Sequence, residues 1–240
     1  MNDPGIDREL ALLSEERDLL MKWSHEDLAR IISDVGFSCV LCGKCCTSRF
    51  NGHVFLLENE AARLLADSSE SLVPAPYFEL YNGDDSFYVS GYALRVHDDG
   101  TCVYLHDNRC RIYENRFSIC RIYPYMLHRE PDARKRLVFR QVSGLDTHGE
   151  YHHEIAGEEA VAIARETIAY EYAWLTQMIE FYTATRELFL RENKRHVRRE
   201  YDKKMREFRD GTVIQVWVWH QGAFRPYRMR REDYLGFNWP

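Results

Sequence analysis

The feature that most constrains this chain is the placement of its cysteines. Four of the seven fall in one short run, Cys39-x2-Cys42-x2-Cys45-Cys46, and the rest follow as Cys102-x7-Cys110-x9-Cys120. An odd number of cysteines cannot pair completely. Bridged cysteines also need Cα atoms roughly 4.4–6.8 Å apart with suitable vectors, which so dense a run denies to most pairings. Metal ligation is the better reading. Thiolates at i, i+3 and i+6 of a tight turn can converge on one point. Gly43 lets the backbone fold back and aim amides at sulfur, which stabilises its negative charge. The C-x2-C-x2-C spacing is that of three ligands of a bacterial-type [4Fe–4S] site, whose fourth ligand comes from elsewhere in the chain. Adjacent residues cannot easily point into one position. Cys45 and Cys46 are therefore expected to serve different metals, or opposite sides of one larger cluster. Seven thiolates exceed what one tetrahedral zinc or one [4Fe–4S] cluster takes. The plain alternative, ordinary buried cysteines, does not explain two dense groups of them.

The surroundings bound the rest. With 45% hydrophobic and 13% aromatic residues among 240, the chain can bury a real core. Its net charge of -6 argues against general nucleic-acid affinity, which needs a cationic surface. The first twenty residues have no basic n-region followed by an apolar stretch, so no secretory signal is expected. No apolar run approaches the roughly 18 residues of a membrane span, and no membrane association is expected. The compartment expected is the cytoplasm, where thiols stay reduced.

Along the chain, residues 6–34 carry apolar residues at helical spacing. Ser24 is placed to open a second helix and Gly36 to close it. A short strand is expected at HVFLLE and a helix at 58–67, then irregular chain from Val73 to Phe87. Tyr88–His97 and Cys102–Leu105 read as strands joined by the turn DDG, and Arg134–Val142 as another strand. Gly157 to Arg209 reads as one helix, apolar first and charged later, leaving the core as it proceeds. TVIQVWVW at 212–219 reads as a strand turning at Gly222 into a second one. The fold class expected is α+β: a metal-stapled, cysteine-rich module with short strands, then a long helix and a C-terminal β-hairpin. The expected divisions are an N-terminal helical segment (1–36), the cysteine-cluster module (37–155) and the helix-plus-hairpin extension (156–240).

FSCVLCGKCC followed by TCVYLHDNRCRIYENRFSICRIYPY resembles the CxxCxxCC (YkgJ-type) cysteine-cluster family, whose members are described as zinc- or iron-chelating. Phe37, Cys39, Cys42, Gly43, Cys45 and Cys46 match the first part of the family pattern. Cys102, Leu105, Cys110, Ile112, Tyr113, Glu114, Arg116, Cys120, Arg121, Tyr123 and Pro124 match the remainder. The resemblance spans about residues 37–125. It departs at Phe117, where the family usually has Pro, and at Ser143-Gly144, where many relatives carry a further cysteine before Pro-Gly. The missing thiol leaves one metal position to His, carboxylate or water, and His106 is a candidate for it. The resemblance implies metal binding without fixing the chemistry. Some relatives are flagellin lysine N-methylases, but no glycine-rich loop for S-adenosylmethionine follows a clear strand in this chain.

Weaker signals remain. Asp146, His148, Glu150, His152 and Glu154 alternate; in extended chain they would share a face and offer a mixed N/O site, although a solvated loop is the simpler reading. Arg116 and Arg121 could offset thiolate charge, or pair with Glu114. RENKRHVRREYDKKMREFR (191–209) and RPYRMRR are basic, with a solvated, ion-paired helix face the simpler reading. Trp217, Trp219 and Trp239 read as packing of the hairpin. The expectation is a metal-binding protein holding an iron–sulfur cluster or a polynuclear iron or zinc thiolate site, with a redox, electron-transfer or metal-handling role. Cys39, Cys42 and Cys45 with one distal cysteine would hold a first centre. Cys46 and the other distal cysteines would hold a second or complete a larger one. The alternatives are a metal-dependent protein-modifying enzyme and a structural zinc module for protein interaction. No catalytic residue is singled out, and the redox or protein partner is open.

Overall fold

The computed structural model describes residues 3–128, 138–141 and 147–237, with backbone alone at 127–128 and 138–141. Its helices are α1 (Pro4–Leu20), α2 (His25–Val35), α3 (Ser48–Asn51), α4 (Glu58–Asp67), α5 (Ser118–Ile122), α6 (Gly157–Arg191) and α7 (Arg198–Arg209). Its strands are β1 (Phe55–Leu56), β2 (Leu72–Pro74), β3 (Leu80–Tyr81), β4 (Ser86–Val89), β5 (Tyr92–Leu94), β6 (Leu105–His106), β7 (Arg109–Cys110), β8 (Tyr125–His128), β9 (Val138–Gln141), β10 (Ile214–His220) and β11 (Ala223–Met229). The α+β class is confirmed, with the long helix and the C-terminal hairpin where the sequence puts them. The chain divides into two compact units: Met1–Leu12, Cys46–Val103 and Gln177–Pro240 form one, Leu13–Cys45 and Tyr104–Thr176 the other.

The first unit is built on two sheets. One is antiparallel, in the order β1-β5-β2; the other runs β11-β10-β4-β3, with β10 parallel to β4. Alternation along β10 buries Ile214, Val216 and Val218 on one face. Their neighbour Phe87 is fully buried, with its ring 4.8 Å from that of Tyr81 and 5.3 Å from that of Phe78. On the opposite face Tyr88 meets Phe189 of α6 edge-on at 5.2 Å. β11 is an edge strand carrying Pro226 and exposed Arg225 and Arg228, residues that discourage further strand pairing.

Several sequence expectations are corrected in this unit. Residues 73–87 are not irregular throughout, because they include β3 and the start of β4. Asn82–Asp85 turns between these strands, with Asp85 in left-handed conformation and the Asp84 N–H donated to Asn82 Oδ1 at 2.8 Å. The strand expected over 88–97 breaks at Ser90-Gly91, since β4 and β5 serve different sheets. Gly91 allows the close approach: a Cβ there would lie 2.6 Å from Gln177 Nε2. The DDG turn is present, but the strand expected at 102–105 reduces to a bridge at Cys102 and the first residue of β6, Leu105. The helix expected from 157 to 209 breaks between α6 and α7. There His196 Nδ1 accepts the Tyr81 N–H at 3.0 Å and the Val197 N–H is donated to the Tyr81 carbonyl at 3.0 Å. The charged part does not leave the core, since α7 buries Met205 and Phe208 and Tyr201 donates to the Phe78 carbonyl.

In the second unit α2 is capped as its sequence asks. Ser24 Oγ accepts the Asp27 N–H, and Gly36 closes the helix at φ +54. Gly36 also lies so close to the His153 backbone that no Cβ fits. β6 and β7 form a hairpin turning through Asp107 and Asn108, both with positive φ. β9 pairs antiparallel with β8 inside the segment read as a strand; residues 134–137 and 142 lie outside the described ones. The buried stripe Ala160, Ala164 and Ile168 belongs to the first turns of α6.

Candidate metal centre

The cysteine run is a turn followed by a short 3-10 segment, Lys44–Cys46. Leu41 (φ +57) and Gly43 (φ +73) both adopt left-handed conformations. Such a backbone is costly for a leucine, and here it reverses the chain between one cysteine and the next. Cys42 is exposed; the other six cysteines are half-buried. Beside Cys42 the turn also exposes Val40 and Leu41.

Within the second unit the turn meets the hairpin that carries Cys110 and the Tyr113 turn that follows it. A Cβ at Gly43 would sit 3.3 Å from Leu105 Cδ2 and 3.6 Å from Asn108 Oδ1, so the knuckle lies against the hairpin that carries Cys110. Cys120 stands on α5, its N–H donated to the Phe117 carbonyl at 2.9 Å. Burial and the neighbouring Cys39 thiol push the Tyr113 hydroxyl pKa up, against the pull of Arg116. The Arg116 guanidinium lies 3.7 Å over the Tyr113 ring and donates from Nε to the Tyr113 carbonyl. Within the first unit the Cys102 N–H is donated to the Cys46 carbonyl at 2.9 Å.

A chain segment that sequence reasoning passed over as a solvated loop buttresses the knuckle. Ser38 and Glu150 exchange both backbone hydrogen bonds, at 2.8 and 2.9 Å, and Lys44 Nζ donates to the Thr147 carbonyl at 2.6 Å. Between those ties His148 is only 5% exposed. Its Nε2 is 2.6 Å from the Tyr123 hydroxyl, and its ring is flanked by Phe37 and Tyr151. Tyr123 in turn neighbours the knuckle: burial first, then Cys45, Tyr151 and Cys42, push its hydroxyl pKa well up. The alternating acids and histidines therefore do not share a face. His148 turns inward while Glu150, His152 and His153 stay exposed, with Glu150 pairing to His153 Nε2 at 2.6 Å. Asp146 lies outside the described residues, as do Ser143, Gly144 and Trp239.

The other sequence candidates fall as follows. Arg121 pairs with Glu166 of α6 and donates to the Arg116 carbonyl, rather than pairing with Glu114. His106 is exposed beside Asp107 at the hairpin tip. The basic helix is partly neutralised, Lys204 pairing with Asp85 at 2.6 Å and Lys194 with Glu192 at 2.7 Å. Trp219 is buried against Phe224. Among the described residues no three His, Cys, Asp or Glu side chains are gathered as a metal-holding group. Also among them, no helix is long and apolar enough to cross a membrane.

The donors present are soft thiols, which suit iron or zinc better than hard cations such as magnesium or calcium. The comparisons agree with that chemistry. Residues 38–143 match the CxxCxxCC family model, described as a "putative zinc- or iron-chelating domain", and the match takes in all seven cysteines. No curated protein and no solved structure matched significantly.

Proposed function

Starting from a zinc- or iron-chelating domain at residues 38–143, we propose that the chain holds an iron–sulfur cluster or a polynuclear iron thiolate site and serves a redox, electron-transfer or metal-handling role. The observation that carries this is the knuckle itself. Leu41 and Gly43, both at positive φ, bend the chain between cysteines at x2 spacing, and Gly43 lies against the hairpin that carries Cys110. Cys39, Cys42 and Cys45 would take the metal with Cys110 or Cys120 as the completing ligand. The chain carries seven thiols, more than a lone tetrahedral zinc takes. Bound iron would supply one-electron chemistry, its potential tuned by hydrogen bonds to sulfur. The chain's own part is to hold Arg116 over Tyr113 near Cys39 and to leave Cys42 open to solvent.

The test is the colour and metal content of the full chain purified without oxygen. A brown protein containing iron supports the reading. A colourless protein with one equivalent of zinc replaces it with a structural zinc module.

A further inference from the structure

The first unit holds a cavity of about 310 Å³ at the end of its sheet where β4 and β10 begin. That is the lower end of the roughly 300–1,000 Å³ of small-molecule sites. Its lining mixes apolar and cationic groups. Phe87 of β4, fully buried, forms an apolar wall, and Val213, 41% exposed, forms an apolar rim. Lys204 comes from α7 and Arg228 from the edge strand β11, so each of the two basic stretches contributes one cation.

Those cations are not equivalent. Lys204 Nζ is 2.6 Å from Asp85 Oδ1 and 3.1 Å from Glu207 Oε2, so two carboxylates already answer its charge. The Arg228 side chain has no ion pair and no hydrogen bond among the described residues. Its partner in strand register is Gln215, which places both side chains on one face of the hairpin. Gln215 is a fixed polar wall, because its Nε2 donates to the Val216 and Tyr227 carbonyls, both at 3.2 Å.

We propose that this cavity binds a small organic monocarboxylate with an apolar body, held through Arg228. The charge count selects one negative charge. Arg228 is the unanswered cation, while Asp85 and Glu207 would repel a dianion such as a phosphate ester. A guanidinium presents parallel N–H groups that match a carboxylate bidentately. The apolar body meets Phe87 and covers Val213, taking apolar surface out of water. This site involves no metal and stands apart from the thiolate reading.

Saturation-transfer NMR titrations of the full chain with phenylacetate and with 4-methylpentanoate test it. At least one of them should bind saturably with a Kd of about 1 mM, as expected for so small a ligand. Its neutral amide should bind about 10-fold more weakly, and Arg228→Gln should cost the acid the same factor. Arg225→Gln, on the same strand but the opposite face, should leave binding unchanged. Val213→Trp should block the cavity from its exposed rim. Inorganic phosphate should compete poorly. Binding of neither acid overturns the proposal, and so does equal binding of acid and amide. Equal losses in Arg228→Gln and Arg225→Gln would reduce the effect to a general cationic surface and overturn it. Undiminished binding to Val213→Trp would place the acid elsewhere. Phosphate that displaces the acid at lower concentration would overturn the carboxylate assignment. Arg228, Arg225 and Val213 are all exposed, so these variants keep the core intact.

Discussion

The Cys46 carbonyl accepts the Cys102 N–H at 2.9 Å, which joins a member of the early cysteine group to a member of the late one in a single backbone register. The neighbouring residues extend the tie: Thr47 bridges Thr101, and the Ser48 N–H is donated to the Gly100 carbonyl at 2.8 Å. Residues far apart in sequence are thus brought together by a strap of main chain.

That strap depends on Gly100. Its φ is +85, and a Cβ there would lie 2.7 Å from Ser48 Oγ and 2.8 Å from the Gly236 carbonyl oxygen. Gly100→Ala should therefore destabilise by about 2 kcal/mol or more, from left-handed strain plus the clash. Gly52→Ala is the control. That residue also has a positive φ but has nothing within 4 Å of its Cβ position, so backbone strain without a clash is expected, and a smaller loss. Chemical denaturation of the two variants checks the ranking, and equal losses would deny the strap its role.

Replacing a ligand should do more than replacing a glycine, because metal-binding energy is also folding energy in a small metallo-domain. Cys42→Ser is expected to lose metal and to leave the cysteine-rich segment open to protease, with the α6–β11 portion more resistant. Metal analysis alongside limited proteolysis reads both. A variant that melts like wild type and keeps its metal would remove Cys42 from the ligand set.

Away from the cysteines, Glu79 makes stability depend on pH. Its carboxylate accepts from the Ser90 O–H at 2.5 Å and the Ser90 N–H at 3.2 Å, yet burial outweighs these bonds and pushes its pKa up to about 7. The native state holds a proton that the unfolded chain releases near 4.5. The stability this group confers is therefore complete below 4.5, falls as pH rises, and is gone above about 7. The window is worth up to about 3 kcal/mol. His53, pushed down to about 4 by burial, acts with the opposite sign and costs stability as pH falls below 6.5. The difference between wild type and Glu79→Gln isolates the first effect. It should favour wild type near pH 5 relative to pH 8, and a difference independent of pH would contradict it.

What the sequence made legible was local. Ser24 and Gly36 mark the ends of α2 because capping chemistry is written in the residues themselves, and Gly43 marks the knuckle for the same reason. The pairing of β4 with β10 is set by partners far along the chain, so Ser86 looks like loop until Gln215 is placed beside it. The break between α6 and α7 contains no Pro or Gly. It is imposed by the edge of β3, where Tyr81 captures His196 and Val197. His148 was hidden because its polar neighbours suggest a solvated loop. The available signal was aromatic: Phe37, Tyr123 and Tyr151, well separated in sequence, form the box that encloses it.

The nature of the metal is the central question, and one preparation addresses it most directly. The full chain is purified without oxygen, iron, zinc and acid-labile sulfide are counted per chain, and the dithionite-reduced protein is examined by electron paramagnetic resonance. A thiolate surplus over tetrahedral zinc predicts iron accompanied by sulfide, with a reduced-cluster signal that Cys42→Ser abolishes. Stoichiometric zinc with no iron under those conditions would contradict the redox reading and leave a structural zinc module in its place.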